Sequence, residues 1–209
     1  MTNITRRYKL IVLGDSNVGK TSLINKYCDE SYYGITTIGV DLKVKCKYVN
    51  DECHKMQIWD TAGQERFHSI ISSFYNNVDG ALLMYDVNDK KEKSIASLKY
   101  WHNEVLRKNT KKHVQIMIIG NKGDKNFLRE NIITSGDVKF ITQNVNDNIY
   151  NVPIVVTNTI DGVNIDYIFT TMLSILMLNN STPDEYISVN LSSYDKYCAS
   201  YTQKNKCCY

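Results

Sequence analysis

Gly14-Asp15-Ser16-Asn17-Val18-Gly19-Lys20-Thr21 fits the spacing G-x-x-x-x-G-K-[ST], with Ser22 directly after it. The residues before it, Tyr8-Lys9-Leu10-Ile11-Val12-Leu13, read as a strand. A strand that runs into a glycine loop and then opens a helix is the context in which this spacing binds phosphate. The loop presents backbone N–H groups to phosphate oxygens, and the helix N-terminus adds a partial positive charge. Gly14 and Gly19 stand where a side chain would clash or forbid the needed dihedrals. Lys20 is placed to reach the β- and γ-phosphates, and the Thr21 hydroxyl to face Mg²⁺.

A second group is Asp60-Thr61-Ala62-Gly63-Gln64-Glu65, after a strand ending at Trp59. An Asp at a strand end beside a phosphate loop can hold Mg²⁺ through water. Gly63 allows a γ-phosphate close to the backbone, and the Gln64 amide can orient a water for in-line attack. Alone, D-x-x-G is ordinary turn chemistry; its place after the phosphate loop makes it a site. A third group, Asn121-Lys122-Gly123-Asp124, follows an apolar strand. Guanine presents N1–H and an exocyclic amine side by side, and the Asp124 carboxylate, an acceptor only, can take both. Adenine offers an acceptor at N1 and would leave a buried Asp124 unpaired.

These groups need a frame that brings strand ends together. Apolar segments at 9–13, 40–49, 55–59, 80–85, 114–119 and 153–156 read as six strands, with 40–49 and 55–59 as a hairpin around Asn50-Asp51-Glu52. Helical spacing marks 19–27, 94–107, 137–142 and 164–178. The alternation predicts an α/β fold with a mostly parallel six-stranded sheet, one antiparallel edge strand and helices on both faces. From Asn179 the texture turns polar, which divides the chain into a folded domain at 1–178 and a flexible tail at 179–209.

The net charge of +3 gives no electrostatic case for nucleic acid, so none is expected as a partner. No apolar run reaches membrane-spanning length, and residues 1–7 lack the apolar stretch of a signal peptide, so a cytosolic setting with reduced thiols is expected. Cys28, Cys46, Cys53 and Cys198 form no C-x-x-C pair. Cys46 and Cys53 flank the hairpin turn and could face each other, but a disulfide is not expected there.

The three groups, in this order at strand ends, resemble the Ras-like small GTPases. The finer likeness, over about residues 7–178, is to the Rab family. It is carried by Thr37-Ile38-Gly39-Val40-Asp41, Lys55-Met56-Gln57-Ile58-Trp59-Asp60, Arg66-Phe67-His68-Ser69-Ile70, Ser72-Ser73-Phe74-Tyr75 and Tyr85-Asp86-Val87. The resemblance implies a GTP/GDP switch that slowly hydrolyses GTP in vesicle-mediated membrane traffic. Thr37 would be the switch I threonine, ligating Mg²⁺ and meeting the γ-phosphate in the GTP state only. Switch I would span about residues 30–37 and switch II about 62–74. Leu42, Trp59 and Phe74 stand where Rab proteins place an apolar cluster that meets effectors. Implied partners are an exchange factor, a GTPase-activating protein and effectors, all engaging a monomer.

The likeness has gaps. Switch I is about two residues short, and Leu42 replaces a usual Phe. Asn76-Asn77-Val78 replaces an aromatic-arginine-glycine-alanine run. Asn158-Thr159-Ile160 replaces the Ser-Ala-Lys motif near the base, where a backbone N–H contacts guanine O6. The final Lys206-Cys207-Cys208-Tyr209 is not C-a-a-X. It resembles the double-cysteine ends that Rab proteins have geranylgeranylated, which implies lipid anchoring through Cys207 and Cys208 on the cytoplasmic face of an intracellular membrane. Two other classes fit the phosphate loop: a binding module that hardly hydrolyses, and an ATP-dependent kinase. Gln64, Thr21 and Thr37 argue against the first, and Asp124 against the second.

Overall fold

The computed structural model describes residues 4–28, 40–49, 52–61, 72–111, 113–124, 128–142 and 152–179. Six strands form one sheet: β1 (Ile4–Gly14), β2 (Val40–Val49), β3 (Glu52–Thr61), β4 (Gly80–Asp86), β5 (Gln115–Asn121) and β6 (Ile154–Val156). Their spatial order is β2-β3-β1-β4-β5-β6. All neighbours run parallel except β2 and β3, which form the antiparallel edge. Among the described residues the α-helices are α1 (Lys20–Cys28), α2 (Lys91–Lys108), α3 (Ser135–Thr142) and α4 (Ile165–Asn179). Contacts divide the chain into a unit ending at Leu176 and a second from Met177 to Tyr209.

Strand alternation separates two apolar layers. Ile11 and Leu13 join Ala81, Leu83, Ile118, Leu98, Trp101, Val105, Val138 and Ile141, so one face of the sheet is closed by α2 and α3. Leu10 and Val12 point the other way and are fully buried, as are Leu23 and Ile24 of α1. Tyr27 of α1 stacks on Phe169 of α4 with ring centroids 3.8 Å apart. Gly80 lets Met172 approach the sheet there: a Cβ would lie 2.8 Å from its sulfur.

The sequence places the elements correctly and cuts several short. β1 begins at Ile4, before the predicted residue 9, and β3 begins at Glu52, a residue predicted to lie in the turn. Both extensions are polar stretches that lack apolar periodicity yet complete the β1–β3 and β2–β3 ladders. In the hairpin Tyr48 pairs with Cys53 and Cys46 with Lys55, so the two cysteines share a face one pair apart. Both thiols are free. No helix among the described residues is long and apolar enough to cross a membrane.

Candidate functional site

The glycine loop joins β1 to α1. Gly14 has φ +148° and Gly19 +97°. A Cβ on Gly14 would lie 2.3 Å from the Met84 carbonyl oxygen, and one on Gly19 2.2 Å from Asn121 Nδ2. Glycine is therefore required twice over, by dihedral and by space. Asn17 also takes a left-handed conformation, with φ +65°. Ser16 and Asn17 are exposed, Val18 is buried, and Thr21 and Ser22 are half-buried.

Lys20 is only 6% exposed. Its Nζ donates to the carbonyls of Gly14 at 2.8 Å and Asp15 at 2.7 Å. The ammonium is thus folded back into its own loop, where a phosphate would find it. Burial lowers its pKa to about 8, against the opposing pull of the Asp60 and Asp15 carboxylates.

Asp60 ends β3 and is 3% exposed. Thr21 Oγ1 donates to Asp60 Oδ2 at 2.6 Å. The next residue, Thr61, donates Oγ1 to the Val12 carbonyl at 2.6 Å, which pins the end of β3 to β1. A hydroxyl and a carboxylate in contact are hard oxygen donors. They suit Mg²⁺, which takes one or two carboxylates and completes its shell with waters and substrate phosphates.

The third group lies where β5 ends. Asn121 is 2% exposed. Its Nδ2 donates to the Val18 carbonyl at 2.8 Å, and its Oδ1 accepts from Thr159 Oγ1 at 2.6 Å and Thr159 N at 3.3 Å. One side chain therefore joins the phosphate loop, β5 and the 158–160 loop. Asn158 shapes that loop by accepting from Ile160 N at 3.0 Å and donating to Asp161 at 2.7 Å. Ile160 is left 87% exposed. Lys122 has φ +64°. Its Nζ pairs with Asp86 Oδ2 at 2.7 Å, and Asn88 Nδ2 reaches its carbonyl at 3.3 Å. Burial opposes the charge on Asp86, but Lys122 and Asn88 outweigh it and hold the carboxyl below its usual range. Gly123 N donates to Thr157 O at 3.0 Å and Asp124 N to Lys122 O at 2.8 Å.

The structure thus brings Gly14 to Ser22, Asp60, Asn121 to Asp124, Asn158 and Thr159 to the carboxyl ends of the parallel strands. Asp124 is exposed, whereas the base-selection argument requires it to be buried. Thr37, Gly63, Gln64, Cys207 and Cys208 lie outside the described residues. Of the expected effector cluster, Leu42 pairs with Trp59 across the hairpin, and the Trp59 and Phe74 rings are 5.0 Å apart. Two contacts escaped the sequence reading. Asp86 as the partner of Lys122 was signalled only by an acid closing an apolar strand. Asp15, whose side chain bonds to α2, carried no signal at all.

A sequence model of the Ras family matches residues 9–177. The chain belongs to the Ras family. Ras-related protein RIC1 of Oryza sativa subsp. japonica is 38% identical over 168 residues, covering 79% of this chain and 78% of the relative. Ras-related protein Rab-1D of Dictyostelium discoideum is 35% identical over 167 residues, covering 79% and 77%. GTP-binding protein YPTM2 of Zea mays is 43% identical over 119 residues, covering 56% and 57%. The chain is therefore a Rab-like small GTPase: a molecular switch that binds GTP and GDP and hydrolyses GTP.

Proposed function

We propose that this GTPase serves vesicle-mediated membrane traffic, cycling between the cytosol and the cytoplasmic face of an intracellular membrane. Similarity to Ras- and Rab-related proteins supports the role. The observation that carries the site is the set of bonds joining Lys20, Thr21, Asp60 and Asn121 around one loop.

In this reading the loop from Gly14 to Ser22 holds the phosphates. Lys20 exchanges its two carbonyl partners for the β- and γ-phosphate oxygens. Thr21, Asp60 and, in the GTP state, Thr37 would hold Mg²⁺, which would supply charge neutralisation for the phosphates. Asp124 takes the guanine N1–H and amine, Asn121 and Lys122 frame the base, and the Thr159 N–H turns from Asn121 to O6, beside Asn158. Gln64 orients the water while Lys20 stabilises developing charge. Gly63 and Thr37 close on the γ-phosphate and order both switches, and hydrolysis releases them. An exchange factor, a GTPase-activating protein and effectors read residues 30–37 and 62–74 and the cluster of Leu42, Trp59 and Phe74 on a monomer. Cys207 and Cys208 are the lipidation sites.

The test is displacement of fluorescent GDP by GTP, ATP and xanthosine triphosphate, with and without chelator, followed by single-turnover GTP hydrolysis. Only GTP and GDP should compete at low concentration, and chelation should speed release. Thr21→Asn should weaken GTP more than GDP, because the longer Asn side chain misplaces its oxygen. Equal competition by ATP would overturn the assignment of the base site.

A further inference from the structure

Asp15 brings a carboxylate into a loop that must gather a polyanion, and like charges at such distances repel. The structure deals with this charge. Asp15 Oδ1 accepts from Ser97 Oγ at 2.6 Å and from Trp101 Nε1 at 2.9 Å. Both donors sit on α2 four residues apart, so one helix face presents them together. Trp101 is 3% exposed within the apolar layer that includes Leu98 and Val105. Its ring is fixed by packing, so the indole N–H has a fixed direction, and a buried indole N–H requires an acceptor. The backbone of the same residue does a second job: the Asp15 carbonyl receives Lys20 Nζ at 2.7 Å. The carboxylate is held by α2, and the carbonyl next to it holds the lysine that meets phosphate.

We propose that Ser97 and Trp101 are positioning residues for nucleotide binding. They tether the Asp15 carboxylate to α2, which keeps its charge from the phosphates and fixes the loop carbonyl that seats Lys20. The inference rests on the nucleotide site proposed above. It also makes α2 part of the phosphate-binding apparatus: a ligand or partner that shifted α2 would change nucleotide release through Asp15.

The test is a cycle with and without the charge. Asp15→Asn keeps an acceptor oxygen and removes the anion. Dissociation of fluorescent GDP is measured for the wild type, the double variant S97A/W101F, D15N, and all three changes together. Loss of two bonds to a charged group should speed release about tenfold or more in the Asp15 background. In the D15N background the same two α2 changes should alter release by less than about threefold, since no charge is freed. A purely structural role, in which Trp101→Phe only loosens the apolar layer, would speed release equally in both backgrounds and would overturn the proposal. Should the double variant not fold, Ser97→Ala alone, at a half-buried position, must still speed release in the Asp15 background only. Failure of the wild type itself to bind guanine nucleotide would count against the nucleotide site, whereas binding with no effect of the α2 changes would count against the tether.

Discussion

Asn121 donates its side-chain amide to the Val18 carbonyl at 2.8 Å, across 103 residues of sequence. This bond ties the end of β5 to the loop between β1 and α1. The same amide lies where a Cβ on Gly19 would fall, so the glycine and the asparagine are matched. Asn121→Ala strands the Val18 carbonyl and the Thr159 hydroxyl at once. Each unsatisfied buried group costs about 1–3 kcal/mol. GDP release should accelerate by roughly 10- to 100-fold, read by displacement of fluorescent GDP. An unchanged release rate would mean the end of β5 and the loop are positioned independently.

Asp124→Asn should lower guanine affinity and move preference toward xanthine, whose position 2 carries a carbonyl in place of the amine. The Asn amide donates where the carboxylate can only accept. Competition between GTP and xanthosine triphosphate measures it. Equal GTP affinity before and after would remove Asp124 from the base site.

The glycines of the loop were legible because two independent constraints, dihedral and space, both demand glycine at Gly14 and Gly19. The apolar cores of β1, β4 and β5 were legible because strands covered on both faces read as continuous apolar runs. Strand ends were not: whether Ile4 or Glu52 belongs to a strand is decided by register with a neighbour, not by local pattern. Thr159 could be assigned to the base only through family resemblance, since Asn-Thr-Ile has no chemistry of its own. The partners of Asp15 were invisible because they lie 82 and 86 residues away. Ser97 read as a polar helix position and Trp101 as core, and nothing local says that an indole N–H points at a loop.

Gln64→Leu keeps much of the side-chain volume and loses the groups that orient water. GTP should still bind, while partner-stimulated hydrolysis should fall by roughly 10²–10³. Single-turnover assays with a GTPase-activating protein give the comparison. Turnover at the wild-type rate would place water positioning on another residue.

His102 is buried in α2, and burial holds its imidazole below the ordinary histidine range. In the unfolded chain it protonates near pH 6.5. Below that pH the unfolded state binds more protons than the folded state, so stability falls as pH drops through 6.5 toward the folded value, and above 6.5 the contribution is absent. Urea midpoints for the wild type should drop between pH 6.5 and 5 more than those of His102→Gln. Parallel curves would show that His102 does not set the acid limit.

Replacing Cys207 and Cys208 together by Ser should release the protein from membranes with nucleotide binding intact. Replacing one should leave weak, reversible binding, because a single chain gives marginal partitioning. Cell fractionation and mass spectrometry of the C-terminal peptide decide it. An unmodified peptide ending Cys-Cys-Tyr, on protein still bound to membranes, would point to a protein anchor instead.

β2 is the outer strand of the described sheet and runs ten residues. Such an edge is a template on which another chain can add a strand, the first step of aggregation. Its outward face carries Leu42, Val44 and Tyr48, which would favour that addition. The alternate positions are Lys43, Lys45 and Lys47. Lys45 lies over the Tyr27 ring and Lys47 is paired with Asp166, so both are committed to the protein's own helices. Two copies aligning along β2 would bring three lysines from each strand into one seam and disturb the contacts that hold them. The strand that exposes Leu42, Val44 and Tyr48 thereby carries its own protection against fibre-like self-association, and concentrated protein should stay dispersed without any change to that surface.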